Sequence, residues 1–301
     1  MNITFVVPVY NERDTLEALA EGIAANVAPH AHRILFIDDG STDGSFETLC
    51  ALQQRFSNVD IVRFRRNFGK SAALAAGFAR AEGDLVFTMD ADLQDDPREI
   101  PRFIAKLEEG YDVVSGWKKE RHDPWHKTVP SRIFNGLVAR QFGLDIHDIN
   151  CGFKLYRAEV VKNVPMYGEL HRLIPALAAS LGYRVAEIPV QHHPRRFGQS
   201  KYGFERFSRG AMDALSVWFL GRYLYSPGHL FGKAAMAAWA LAALSLLGAA
   251  ACGTAAWAII GVVLAMGGFL LLGQGLVAEL AVRHRPSLDT GTLIAEERRG
   301  K

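Results

Sequence analysis

Asp90-Ala91-Asp92 is the pair of carboxylates best spaced to do chemistry. Two acids one residue apart, where an apolar strand ends, can chelate a hard divalent cation such as Mg2+ or Mn2+. A cation held there stabilises the charge of a departing diphosphate. A polar strand-to-helix turn is the plainer reading of the same residues. Asp38-Asp39-Gly40-Ser41 offers either a carboxylate for a base or a ribose, or an Asp-stabilised turn. In Phe68-Gly69-Lys70-Ser71 a lysine reaches a phosphate or begins a helix. A P-loop is excluded, because its first glycine would fall at position 64, which is Phe64. No GxGxxG follows the first strand, which excludes a dinucleotide-binding dehydrogenase.

His192-His193-Pro194-Arg195-Arg196 runs into Gly198-Gln199-Ser200-Lys201-Tyr202. Basic and hydroxyl groups on a glycine-containing loop suit a phosphate; a basic stop near anionic headgroups is the alternative. The adjacent histidines have no carboxylate close in sequence, and no CxxC or Cys/His cluster points to zinc. Asp95 and Asp96 read as helix caps rather than metal ligands.

The elements that must position these groups alternate. Apolar runs at Ile3–Val9, Ile34–Ile37, Val59–Phe64, Leu85–Met89 and Val113–Trp117 read as strands. Helices fill the gaps: one opened by Asp14 and Glu17 as a capping box, one over Ser45–Phe56, one over Ser71–Arg80, and one opened by Asp96-Pro97 with Glu99. Alternation of this kind predicts an α/β fold with a mostly parallel sheet. Such sheets bind ligands at the carboxyl ends of their strands, where the acidic motifs fall.

From Ala234 to Ala278 the chain carries no charge. One membrane span needs about 20 residues, so the stretch predicts two transmembrane helices, about 231–251 and 256–278, turning near Cys252, Gly253 and Thr254. Lys233 before the pair and Arg283, His284 and Arg285 after it place both termini in the cytoplasm. Phe204–Tyr225 mixes aromatics with Arg206, Arg209, Asp213 and Arg222, as an amphipathic interfacial segment does. The organisation expected is a catalytic domain at 1–203, an interfacial segment at 204–228, two spans within 229–282 and a cytoplasmic tail at 283–301. Three scattered cysteines argue against a disulfide framework. A net charge of +2 argues against a nucleic-acid partner.

The segments VVPVYNE (6–12), DDGSTDGS (38–45), RNFGKSAALAAGF (66–78), MDADLQDDP (89–97), DINCGFKLYR (148–157) and RRFGQSKYG (195–203) resemble, in order, family 2 glycosyltransferases of the GT-A fold. Within that family the chain is most similar to the polyprenyl-phosphate glycosyltransferases. The resemblance implies an inverting enzyme, in a membrane of the bacterial inner-membrane type, that moves a sugar from a nucleotide-sugar to a polyprenyl (undecaprenyl) phosphate. UDP-glucose is the donor expected first, GDP-mannose second, with a UDP-GlcNAc or modified-pentose donor as further alternatives. It implies that Pro8, Tyr10, Glu12 and Asp39 hold the nucleoside, and that Lys70 and Asp90 serve the donor. Asp92, with Asp90, would hold Mg2+ or Mn2+, and Gln94 would lie beside the metal or the sugar phosphate. Lys118, Arg121, Lys127 and Ser131 would line the acceptor phosphate site, with Arg196, Ser200 and Lys201 closing over the diphosphate or the acceptor. Asp148 would be a base or an orienting group, since some relatives carry an acid where this chain has Gly152. Homo-oligomers occur among such relatives. A processive polysaccharide synthase is disfavoured because Gln191 is followed by His192-His193-Pro194-Arg195 with no QxxRW segment. A membrane scaffold that binds nucleotide-sugar without turnover is the non-enzymatic alternative.

Overall fold

The computed structural model describes residues 1–119, 135–136, 138–164, 166, 170–193, 219, 223, 226–283 and 294–298. The expected strands and helices form in the expected order: β1 (Asn2–Val9), α1 (Leu16–Val27), β2 (Ala31–Asp38), α2 (Ser45–Arg55), β3 (Val59–Phe64), α3 (Lys70–Arg80), β4 (Leu85–Thr88), α4 (Ile100–Glu108) and β5 (Val113–Trp117). They continue with β6 (Lys154–Arg157), α5 (Ala158–Asn163), α6 (Ile174–Ser180), β7 (Val185–Pro189), α7 (Pro227–Cys252), α8 (Ala255–Arg283) and β8 (Ile294–Arg298). The sheet runs β7-β5-β6-β4-β1-β2-β3-β8. The pairs β4–β1, β1–β2, β2–β3 and β5–β7 are parallel, whereas β6 is antiparallel to both its neighbours and β8 is antiparallel to β3.

Both faces of the central strands are buried, so β1 is a continuous apolar run. One face carries Phe5, Phe87, Phe103 and Phe153, with ring centroids 5.2 Å apart for Phe5–Phe87 and 4.5 Å for Phe103–Phe153. α3 covers the other face at very close range: a Cβ on Gly77 would lie 2.2 Å from Val6 Cγ1.

Two local expectations differ. α1 begins at Leu16, with no side-chain cap, and the Thr15 hydroxyl instead donates to the Glu12 carbonyl (2.8 Å). The capping box at Asp14 is therefore not formed. Within the stretch 283–301, expected as a cytoplasmic tail, residues 294–298 form β8 on β3, and the compact units are 1–217 with 288–301, and 218–287.

In the second unit, α7 and α8 are joined at Gly253-Thr254, where Gly253 ends α7 at φ +64°. Both helices are long and apolar enough to cross a membrane. Met236, Leu247, Phe269 and Leu270 are each at least 62% exposed, so this is no buried hairpin of a soluble core. The helices pack through glycines spaced seven apart on α8, where Gly261 meets Leu246, Gly268 meets Trp239 and Gly275 meets Phe231. Small residues that admit a facing side chain are the usual means of helix association in lipid.

Gly77→Ala tests the α3 contact. Val6 is fully buried and has no room to yield, so the added methyl should destabilise the protein by about 1–3 kcal/mol. A lower melting temperature with an unchanged circular dichroism spectrum is the expected result.

Candidate active site

The carboxyl ends of β1, β2 and β4 meet in one region, and short polar side chains tie their loops together. Asn11 N–H donates to Ser41 Oγ (3.0 Å), Asn11 Oδ1 accepts from Thr42 N–H (2.8 Å), and Glu12 N–H donates to Ser45 Oγ (3.0 Å). Asn11 and Leu93 are the non-glycine residues at positive φ among the described residues, at +55° and +57°. One follows β1 and the other follows Asp92. Unfavourable backbone of this kind collects at functional sites.

Asp38 is buried, with its Oδ1 accepting from Ser41 N–H (2.9 Å). Asp39 accepts from Phe68 N–H at 2.7 Å and from Gly69 N–H at 2.9 Å. Burial pushes its carboxyl above the ordinary range, against the pull of those two bonds, and the charge of Asp38 adds to the rise. Asp39 thus binds the β2 loop to the start of α3. Pro8, Tyr10 and Glu12 are half-buried along the same rim.

Asp90 forms an ion pair with Lys70, the first residue of α3. Burial opposes the charge of each, and their mutual attraction outweighs it: Asp90 is held below the carboxylate range and Lys70 above the ordinary lysine value. Asp92 Oδ1 accepts from Gln94 N–H at 3.2 Å. Among the described residues no group of three or more His, Cys, Asp and Glu is arranged to hold a metal. The two aspartates nevertheless fit a Mg2+-like ion, which usually takes one or two carboxylates and fills its other positions with phosphate oxygens and water. The ammonium of Lys70 already sits as a cation against Asp90. Gly152 is required beside it, since a Cβ there would lie 2.7 Å from Asp90 Oδ2.

Asp148 is buried, and its backbone N–H donates to Glu187 Oε1 (2.7 Å). The same carboxylate accepts from His147 N–H and Nδ1 (both 2.9 Å to Oε2). Glu187 therefore clamps the loop that carries Asp148. Asp148 and Asp90 both act on the ammonium of Lys154, which brings the two acids into one neighbourhood.

Asp96 caps the short 3-10 turn Pro97–Glu99, accepting from Arg98 N–H (3.0 Å). Asp95 does not cap. It is fully buried between Lys118 Nζ at 3.1 Å and His192 Nδ1 at 3.8 Å, and neither contact to its oxygens has hydrogen-bond geometry. Charge draws the side chains of this cluster together, and an antiparallel backbone bridge pairs Asp95 with His192. Burial would raise Asp95 and lower Lys118, yet their attraction wins, leaving Asp95 well below and Lys118 well above their ordinary values. His193 N–H donates to the Gln94 carbonyl (2.9 Å), its Nε2 lies 3.1 Å from Asp96 Oδ2, and Gln94 Nε2 donates to the His193 carbonyl (3.3 Å). The two histidines, with no acid near them in sequence, are thus paired with the loop after Asp92.

The fold brings together Pro8, Tyr10, Glu12 and Asp39 on one rim, and Lys70, Asp90, Asp92, Gln94 and Lys118 around the end of β4. Arg121, Lys127, Ser131, Arg196, Ser200 and Lys201, and most of the interfacial segment 204–228, lie outside the described residues. Reading the sequence missed Asp95, Glu187, Lys154 and the pair Ser71–His171, whose Oγ and Nδ1 are 2.7 Å apart. The one visible signal was a lysine set between the apolar Phe153 and Leu155.

An acidic pair at the end of an interior strand, on a mostly parallel sheet with an antiparallel insertion, defines the class of GT-A transferases. Glucosyl-3-phosphoglycerate synthase from Mycobacterium tuberculosis, solved with Mn2+, UDP and phosphoglyceric acid, superposes with a TM-score of 0.58 at 18% identity, over 73% of this chain and 78% of that one. Residues 4–165 match the model of glycosyl transferase family 2. Dodecaprenyl-phosphate galacturonate synthase of Rhizobium johnstonii is 38% identical over 94% of this chain and 88% of its own length. Undecaprenyl-phosphate 4-deoxy-4-formamido-L-arabinose transferase of Edwardsiella ictaluri is 43% identical over 67% of this chain and 63% of its own. The chain belongs to glycosyl transferase family 2 and is a glycosyltransferase. With its two lipid-length helices it is a membrane protein.

Asp95→Asn should leave Lys118 buried without its counter-charge, at a cost of about 3–5 kcal/mol. The folded Asp95 carboxyl titrates below its unfolded value of about 3.9. Its contribution is therefore complete at neutral pH and fades as pH falls below about 4. The difference in melting temperature between the two proteins should stay constant from pH 7 to about pH 4, then narrow but persist at pH 3, because the folded carboxyl titrates well below that pH.

Proposed function

We propose that this protein transfers a sugar from a nucleotide-sugar to a polyprenyl phosphate, with inversion at the anomeric carbon. The observation that carries the reading is the Asp90-Ala91-Asp92 turn at the end of β4, with Lys70 against it, in a chain whose full-length relative is named for a polyprenyl-phosphate product. A divalent ion bound by Asp92 and Asp90, Mn2+ or Mg2+, would supply positive charge to the donor diphosphate. Pro8, Tyr10, Glu12 and Asp39 hold the nucleoside in this reading. Gln94 orients the sugar phosphate.

The second pKa of a phosphate monoester is about 6, so the acceptor is mostly dianionic at neutral pH. Such a nucleophile needs little help from a base, and Asp148 orients it or the sugar. One acceptor oxygen bonds to the anomeric carbon as the bond to the diphosphate breaks, and the nucleoside diphosphate leaves. Repulsion between two anions is the main obstacle. Lys118, Arg121, Lys127, Ser131, Arg196, Ser200 and Lys201 offset it by fixed positive charge and hydrogen bonding, the general mode of preorganised electrostatic catalysis.

The two spans keep the catalytic domain at the membrane where a lipid phosphate resides. Lys233 and Arg283 support cytoplasmic termini, in a bacterial inner membrane. The donor expected from the sequence resemblance is UDP-glucose. The relatives' names add galacturonate and formamido-arabinose, so the panel that tests the reading includes a UDP-uronate.

Two measurements check this function. Radiolabelled UDP-glucose, UDP-galacturonate, UDP-GlcNAc and GDP-mannose, each offered with undecaprenyl phosphate, should give one labelled lipid product; no lipid product from any of them would sink the proposal. Asp92→Asn should lower transfer by at least about a hundredfold while leaving the melting temperature unchanged. Near-normal turnover would remove Asp92 from the metal site.

A further inference from the structure

Lys154 is a buried cation that forms no ion pair among the described residues. It lies in β6, opposite Thr88 of β4 and Ser115 of β5, and is 2% exposed. Among the described residues its ammonium makes one hydrogen bond, donated to the carbonyl of Cys151, and no ion pair. Burial pulls it down to about 8; Lys70 pulls the same way, and Cys151, Asp148 and Asp90 only partly offset them. A buried charge without a partner is unfavourable by several kcal/mol. An apolar side chain in the same strand position would carry no such penalty.

Its surroundings say what the charge is for. The Cys151 carbonyl that Lys154 holds belongs to the residue before Gly152, and Gly152 abuts the carboxylate of Asp90. On the same side lie Lys70 and the Ser71–His171 pair. Burial drives His171 down to about 3, helped by the charges of Lys70, Arg172 and Lys154, so its ring is neutral. Asp90 is already paired with Lys70. Lys154 is thus left with no acid at ion-pair distance among the described residues, while Asp148 and Asp90 act on it from farther away.

We propose, resting on the nucleotide-sugar reading above, that Lys154 is a positioning residue of the donor site, a buried cation whose missing counter-charge is an anionic oxygen group of the donor. The group is the diphosphate or a carboxylate on the transferred sugar; the chemistry at the lysine is the same. Lys154 acts across Cys151 and Gly152, and its field is strong because the lysine itself lies buried in a region of low dielectric.

The test is calorimetry on the full-length protein in detergent with Mn2+, using UDP, GDP, UDP-galactose and UDP-galacturonate. Lys154→Met and Lys154→Gln should bind at least about tenfold more weakly, and Lys154→Arg, which keeps the charge, should bind near normally. Weakening shared by every diphosphate probe assigns the charge to the diphosphate; weakening confined to UDP-galacturonate assigns it to the sugar carboxylate. Melting temperatures of the Met and Gln variants should be unchanged or higher, because an unpaired charge has been removed. Unaltered affinities in folded variants, or a fall in melting temperature in both, overturns the proposal. A wild-type protein that binds none of the four probes defeats the nucleotide-sugar reading itself.

Discussion

Lys70 and Asp90 hold each other at the end of β4, and the layout around them follows from having to bury charge there. Neither side chain is fully withdrawn from water, yet each is shifted toward its charged form by the other. The approach of Gly152 to Asp90, the start of α3 at Lys70 and the tie from Asp39 to Gly69 all serve the same juxtaposition. Moving any one of them would leave a charge without its partner in a region of low dielectric, where such errors are expensive.

A second buried charge cluster stands behind the first. Asp95, Lys118 and His192 join the loop after β4 to the ends of β5 and β7. The loop that carries Asp92 and Gln94 is thereby braced from below, while the His193 contacts to Gln94 and Asp96 brace it along its edge. An acidic turn that must receive a doubly charged ion and a diphosphate gains from such bracing, because its carboxylates then need no rearrangement when the ligands arrive. Leu93, strained at positive φ between Asp92 and Gln94, is held in place by the same contacts.

The second unit obeys a different solvent. α7 and α8 leave large apolar side chains exposed and pack against each other through small residues on α8. The few polar groups inside are satisfied locally: Ser245 Oγ donates to the Trp257 carbonyl (2.7 Å) and Trp239 Nε1 to that of Ala265 (3.1 Å). Such satisfaction is what a bilayer demands of any polar atom it covers.

The β-α alternation, the placing of Asp38-Asp39 and Asp90-Ala91-Asp92 at strand ends, and the turn of the hairpin at Gly253 were all legible from the residues alone. Each rests on local information: hydrophobic period, turn-forming residues, or an unbroken apolar length. Only the tertiary structure decided that β6 runs antiparallel into the sheet, that residues 294–298 form a strand on β3, and that Asp95 is an ion-pair partner rather than a cap. It alone paired His192 and His193 with acids almost a hundred residues away and buried Lys154 with no ion pair among the described residues. Strand direction and charge pairing depend on which distant segments share a wall, and a local pattern of residues carries no record of that.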